Sequence, residues 1–195
     1  MTKLWVYQTP ASQCEDLVTK AFDAGYRHVD SAAAYRNEET GLEYIDLMLI
    51  HSPYGGRAAR KGAWKALVEA QEEGKIRSLG VSNYGVHHLD EMEAYIKELE
   101  EEMGKGRGGV IDVGQWELHP WLARPDIVSW CEKRGIIVEA YSPLVRGERH
   151  DSKLLVPLAK KYNKTSAQIL LRWSLQKGFV PLPKTVTPNR IKEKC

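Results

Sequence analysis

Only three cysteines occur in the 195 residues, Cys14, Cys131 and Cys195, an odd number at wide spacing. That count leaves no basis for a disulfide framework, and without a Cys-x-x-Cys pair it offers no metal-binding cysteine motif. The cysteines read as reduced thiols, with Cys14 and Cys131 packed inside helices. No apolar run is long enough to span a bilayer, and the polar N-terminus lacks the hydrophobic core of a secretory signal, so a cytoplasmic protein is expected. Neither sign of charge dominates: 28 Lys and Arg stand against 26 Asp and Glu, a net charge of +2. With six scattered His, this gives nucleic acid no electrostatic footing, and RAARKGAWK at 57–65 reads as the solvated start of a helix. Short-period repeats and low-complexity segments are also lacking, which excludes a solenoid.

What remains is a composition 43% hydrophobic and 28% charged, that of a single soluble globular domain over residues 1–195. Strand-like and helix-like segments alternate along it, the pattern of parallel strands joined by helical crossovers. Strands are expected at 5–8, 26–30, 45–51, 76–81, 110–115, 136–141 and 179–183. The run 45–51 is almost continuously apolar and suits a strand buried on both faces. Ser12 and Glu15 form a capping box for the first helix. Trp64, Leu67, Val68 and Gln71 mark another helix, stopped by Gly74, and Leu89, Met92, Tyr95 and Ile96 trace a further helical face. ELEEEMGKGRGG is a helix end with a solvated loop. Pro125 suits a first helical position in 125–134, and Thr165 caps a helix over 169–175.

Polar residues fall at or just after the expected strand ends: Asp30, His51, Ser82, Asn83, Gln115, Tyr141 and Lys184. Parallel barrels gather ligands and catalysis there. Taken singly, each could equally cap the following turn.

GYRHVDSAAAYRNEE at 25–39, followed in order by IDLMLIHSP, IRSLGVSNY, VGQWELHPW, EAYSPL and VPLPKTVTPNRI, resembles the aldo-keto reductases, in detail their fungal members. The resemblance covers nearly the whole chain. It implies an α/β fold of the (β/α)8 TIM-barrel type, here incomplete. After RNEET the family pattern expects the rest of a helix, a third strand and another helix, whereas Thr40 runs straight into GLEYIDLMLIH. The missing piece amounts to roughly forty residues, a little more than one unit of a barrel of about 250, and in the family it carries the catalytic Lys. No Lys stands at a matching position; Lys3 precedes the first strand. The final helix and the loop that shapes substrate choice are expected to be missing too.

The implied reaction is hydride transfer from NADPH to the carbonyl carbon of an aldehyde or ketone. The match assigns catalytic roles to Asp30, Tyr35 and His51, with Tyr35 the general acid and His51 its support. Asp30 would lack the Lys it pairs with in the family, and would bind water or take a raised pKa. Losing the general acid's supporting group costs about two to four powers of ten in rate. Ser82, Asn83 and Gln115 match residues that hydrogen-bond the nicotinamide carboxamide, and Tyr141 matches the aromatic that stacks on its ring. Ser142 and Leu144 match contacts to the pyrophosphate, with Arg146 as either a helper or a surface charge. Lys184, Thr185 and Arg190 match the clamp on the adenosine 2'-phosphate, and Glu193 an adenine contact. Gly114 stands where the family usually has Asn. Tyr7, Trp116 and Trp121 are candidates for either pocket lining or core. No metal is implied, and the partner is a small carbonyl compound, neither nucleic acid nor membrane.

The alternative reading is a catalytically inactive NADP-binding or interaction protein derived from a reductase. The interval from Asp30 to the next strand is barely enough for a parallel crossover, so residues 32–39 are expected either to form a short crossover helix or to leave strand edges unpaired.

Overall fold

Each described pairing of strands is parallel, as the alternation of strand and helix signals requires. The computed structural model describes residues 4–5, 18–20, 23, 29–30 and 43–184. In chain order the elements are β1 (Leu4–Trp5), β2 (Val29–Asp30), β3 (Ile45–Ile50), α1 (Gly56–Glu72), β4 (Ile76–Ser82), α2 (Val86–Met103), β5 (Val113–Glu117), α3 (Pro125–Glu132), β6 (Ile137–Tyr141), a 3-10 turn (Val145–Gly147), α4 (Leu155–Tyr162), α5 (Ser166–Gln176) and β7 (Val180–Leu182). The chain falls into two compact units, one of Gly41–Trp116 with Arg124–Val138, the other of Met1–Thr40, Glu117–Ala123 and Glu139–Cys195.

In the first unit β3, β4 and β5 are neighbours in that order, with Leu49 opposite Gly80 and Ser82 opposite Gln115. Leu89, Met92, Tyr95 and Leu99 of α2 are fully buried, a helical spacing that puts one stripe toward the core. Trp64 of α1 is equally buried, and its indole donates to the Gly108 carbonyl at 2.9 Å. Gly109, at φ 80°, could carry no side chain, because a Cβ would lie 2.5 Å from Val68 and 3.2 Å from the Trp64 ring. The charged, glycine-rich stretch after α2 is thus a fixed turn.

The basic cluster at the start of α1 is not simply solvated. Arg57 pairs with Glu98, Arg60 with Glu91, and Lys61 with both Glu98 and Glu102, all on α2. Cys131 is buried in α3, as expected of a packing cysteine.

In the second unit β1 pairs with β2, and β6 with β7, with Tyr141 opposite Leu182. Thr165 caps α5 through a capping box: its hydroxyl accepts from the Gln168 N–H, and the Gln168 side chain accepts from the Thr165 N–H.

Two expectations need correction, and one helix stands beyond those expected. First, β3 is not buried on both faces: Ile45 and Met48 are 39% and 41% exposed. Among the described residues β4 is its one hydrogen-bonded neighbour, which makes it an edge strand. Second, β5 begins at Val113, not residue 110. Val110 is exposed, and Asp112 meets β4 outside the ladder, through its N–H to the Leu79 carbonyl and its carboxylate from the Leu79 N–H. The additional helix is α4, which Pro157 does not break. This proline occupies the first turn, where the backbone N–H has no helical partner to lose. The cap at Ser12 and Glu15, the stretch 32–39, Cys14 and Cys195 lie outside the described residues.

Candidate functional site

The C-terminal ends of β3, β4 and β5 bring together His51, Ser82, Asn83 and Gln115 within one unit. Asn83 takes φ 61°, the left-handed region that Asn tolerates better than most side chains. That turn gives its backbone N–H to β5, and its side chain takes over the bond to β3. Asn83 Nδ2 donates to the His51 carbonyl at 2.9 Å and to Ser82 Oγ at 3.1 Å. Ser82 Oγ donates to the Gln115 carbonyl at 2.9 Å, and the Asn83 N–H reaches the same carbonyl at 3.1 Å. Three strand ends are therefore laced by two side chains. Ser82 and Gln115 are buried and His51 is exposed.

Behind this lacing, Gly114 and Trp116 share one face of β5. The Trp116 ring lies over Gly114, where a Cβ would come within 2.2 Å of it. The indole is 1% exposed and donates to the Tyr84 carbonyl at 2.8 Å. Gly114 is thus the partner of a large residue two positions on, and Trp116 belongs to the core. Arg60 fixes the segment after His51 by donating to the Pro53 carbonyl at 3.1 Å while paired with Glu91. Tyr84, next to Asn83, is fully buried, and its hydroxyl has no hydrogen-bond partner. Burial pushes its pKa up to about 12, with Arg60 opposing. Sequence reasoning missed Tyr84 and Arg60, which are visible only once α1, α2 and the strand ends are packed.

In the second unit Asp30 ends β2, half-buried opposite Trp5, and it is not without a partner. Tyr141 ends β6 and Lys184 follows β7. Between β6 and α4 the backbone is unusual. Ser142, Val145 and Arg146 have φ of 47°, 51° and 52°, and Gly147 follows at 90°. For β-branched Val145 this is a real outlier, and such strain gathers at ligand sites. Leu144 caps the 3-10 turn, and Ser142 is buried with no partner for its Oγ. Within this turn the N–H groups of Val145, Gly147 and Glu148 donate to the carbonyls of Ser142, Leu144 and Val145, which leaves the Ser142 hydroxyl as its unpartnered polar group.

Sequence reasoning also missed His119. It is buried, with Nε2 3.4 Å from Glu117 and its ring 6.2 Å from that of Trp121, which is 38% exposed and has Arg149 5.8 Å from its ring centre. The HPW triplet after a strand end was the available signal. Tyr7, Tyr35, Thr185, Arg190 and Glu193 lie outside the described residues. Among the described residues no helix is long and apolar enough to cross a membrane, and no group of three or more His, Cys, Asp or Glu could hold a metal ion.

Comparison with known proteins gives this geometry a context. The sequence pattern of the aldo/keto reductase family matches residues 36–195. An uncharacterised oxidoreductase of Schizosaccharomyces pombe is 39% identical, over 96% of this chain and 80% of its own length. That alignment runs over 232 positions against the chain's 195 residues, so it bridges positions with no counterpart here. Methylglyoxal reductase DkgA of Escherichia coli is 34% identical over 97% of this chain and 80% of its own. Among solved structures, an aldo/keto reductase from Brucella melitensis superposes with TM-score 0.83 at 28% identity, covering 99% of this chain and 85% of that one. A mutant of Gox0644 in complex with NADPH superposes with TM-score 0.82 at 27% identity, over 99% and 81% of the two chains.

Proposed function

The chain belongs to the aldo/keto reductase family, and from that premise we propose that it binds NADPH and reduces an aldehyde or ketone at a greatly diminished rate. The observation that carries the cofactor reading is the laced trio Ser82, Asn83 and Gln115 at successive strand ends. A second feature supports the reading: the buried Ser142 hydroxyl has no partner of its own and can donate to an anionic oxygen.

In this proposal Ser82, Asn83 and Gln115 hold the nicotinamide carboxamide, and Tyr141 stacks on the ring. Ser142 and Leu144 receive the pyrophosphate, and Lys184, Thr185 and Arg190 take the 2'-phosphate, with Glu193 toward adenine. Lys184 and Arg190 give charge-assisted bonds to a phosphate that NADH lacks, which favours NADPH. When bound, the reduced nicotinamide supplies the hydride for the carbonyl carbon. Tyr35 delivers the proton to the carbonyl oxygen, with His51 in the family's supporting role and Asp30 as the third family position. A phenol ordinarily titrates near 10, so Tyr35 depends on neighbouring positive charge to work near neutrality. In the family a Lys from the segment missing here provides it, so the rate falls by about two to four powers of ten.

Relatives named as glyoxal and methylglyoxal reductases suggest small, reactive carbonyl compounds as substrates. The test is oxidation of NADPH by methylglyoxal, followed by loss of reduced-nicotinamide absorbance. Slow turnover abolished by Tyr35→Phe supports the reading. Saturable NADPH binding with no turnover moves the protein to an inactive cofactor-binding role.

A further inference from the structure

Among the described residues no strand pairs with the outer edge of β3, and we infer that this edge takes the same strand of a second copy of this chain, antiparallel, about a two-fold axis at Met48. Ile45 donates its N–H to the Lys75 carbonyl, and the His51 carbonyl accepts from Asn83, so odd-numbered residues of β3 face β4. Backbone groups alternate sides along a strand. Those of Asp46, Met48 and Ile50 therefore face outward, where no pairing strand is described.

Natural edges are blunted by Lys, Pro, bulges or covering elements. The strand itself carries none of the sequence devices: IDLMLI holds no Lys and no Pro, and it exposes Ile45 and Met48. Its single charge, Asp46, is already paired with Arg77, whose guanidinium also stacks on Tyr44 at 3.7 Å.

A second copy fits because the strand is self-complementary about Met48, with its one charge off the axis. Antiparallel strands bond only when residues facing one another both point inward to the pair. Centring on Met48 satisfies every outward group: Asp46 meets Ile50 of the other copy, Met48 meets Met48, and Ile50 meets Asp46. On the opposite face Leu47 meets Leu49, so no like charges oppose each other. A six-residue edge buries less than the ~1,200 Å² of a standard interface, so the association is concentration-dependent. A closed two-fold pairing also stops at the dimer.

The purified full chain is examined by sedimentation equilibrium from about 1 to about 100 μM. The expected result is a shift from one to two chain masses. Met48→Pro removes an outward N–H while sparing the bonds to β4, so it remains at one chain mass at every concentration with unchanged circular dichroism. As a second route, Met48→Cys is oxidised. Directly opposed residues of a hydrogen-bonded pair lie about 5.5 Å apart at Cα, within the disulfide range, so a covalent dimer forms at least tenfold faster than with Tyr54→Cys or the unaltered chain. A single chain mass throughout, with no enhanced cross-link, overturns the proposal. Species larger than the dimer overturn the two-fold register.

Discussion

The Trp116 ring covers Gly114 so closely that a Cβ on residue 114 would lie 2.2 Å from it. The two residues stand two apart on β5 and share one face, so the absent side chain and the large one occupy the same volume. Gly114→Asn, which installs the residue the family usually carries, is expected to destabilise the chain by about 1–3 kcal/mol through overpacking. Combining it with Trp116→Val recovers much of that loss. Thermal unfolding of the four proteins of this cycle measures the coupling; additive effects would refute the pairing.

Asn83 separates fold from ligand. Asn83→Gly keeps the left-handed turn and deletes the amide, costing about 1 kcal/mol for the hydrogen bonds. Asn83→Ala also deletes the amide but keeps a Cβ at φ 61° without the polar side chain that makes this region tolerable, so it is expected to be about 1–2 kcal/mol less stable than Asn83→Gly. Both substitutions are expected to weaken NADPH binding about tenfold, or 1.4 kcal/mol. Denaturant melts and cofactor titrations of the same samples distinguish the two effects.

Two buried groups set the alkaline limit. Burial raises the Cys131 thiol from 9.0 to about 12, opposed by Arg134, and raises the Tyr84 phenol from 10.0 to about 12. Below pH 9 both groups are protonated in folded and unfolded chains alike, and their contribution is fully present. As pH rises from 9 toward 12 the unfolded chain ionises first, and stability on the order of a few kcal/mol is lost. Tyr84→Phe removes the part of this loss that begins near pH 10. It leaves stability at pH 7 unchanged or higher, because the hydroxyl it deletes has no partner. Urea melts across this pH range provide the check; an unchanged slope in Tyr84→Phe would contradict the assignment.

Gly80 leaves no room for a Cβ between β4 and its neighbours. A Cβ there would lie 2.0 Å from the Val113 carbonyl oxygen and 2.6 Å from Leu49. Gly80→Ala must therefore part β4 from β5, and it is expected to cost at least ~3 kcal/mol. Soluble yield and melting temperature test this.

Local signals were legible in the sequence. Thr165 and Gln168 form the capping box that caps α5, and the buried stripe Leu89, Met92, Tyr95 needs only helical periodicity. His51, Ser82 and Gln115 could be placed at strand ends because strands announce themselves by apolar runs. The strand environment was not legible. The apolar run of β3 reads as doubly buried, yet burial depends on a second neighbour that a strand's own sequence cannot display. Nor could the composition of α4 reveal that Pro157 sits in a first turn. The use of the Asn83 side chain as a replacement rung depends on a backbone angle, and the Gly114 vacancy on the rotamer of Trp116. Such relations appear only when three dimensions are resolved.

The most direct measurement is a titration of the folded chain with NADPH, following quenching of tryptophan emission, with NADH and the Lys184→Ala variant as controls. Saturable binding is expected, tighter for NADPH than for NADH, with that preference reduced by Lys184→Ala. A chain folded by circular dichroism that binds neither nucleotide would contradict the proposed cofactor site.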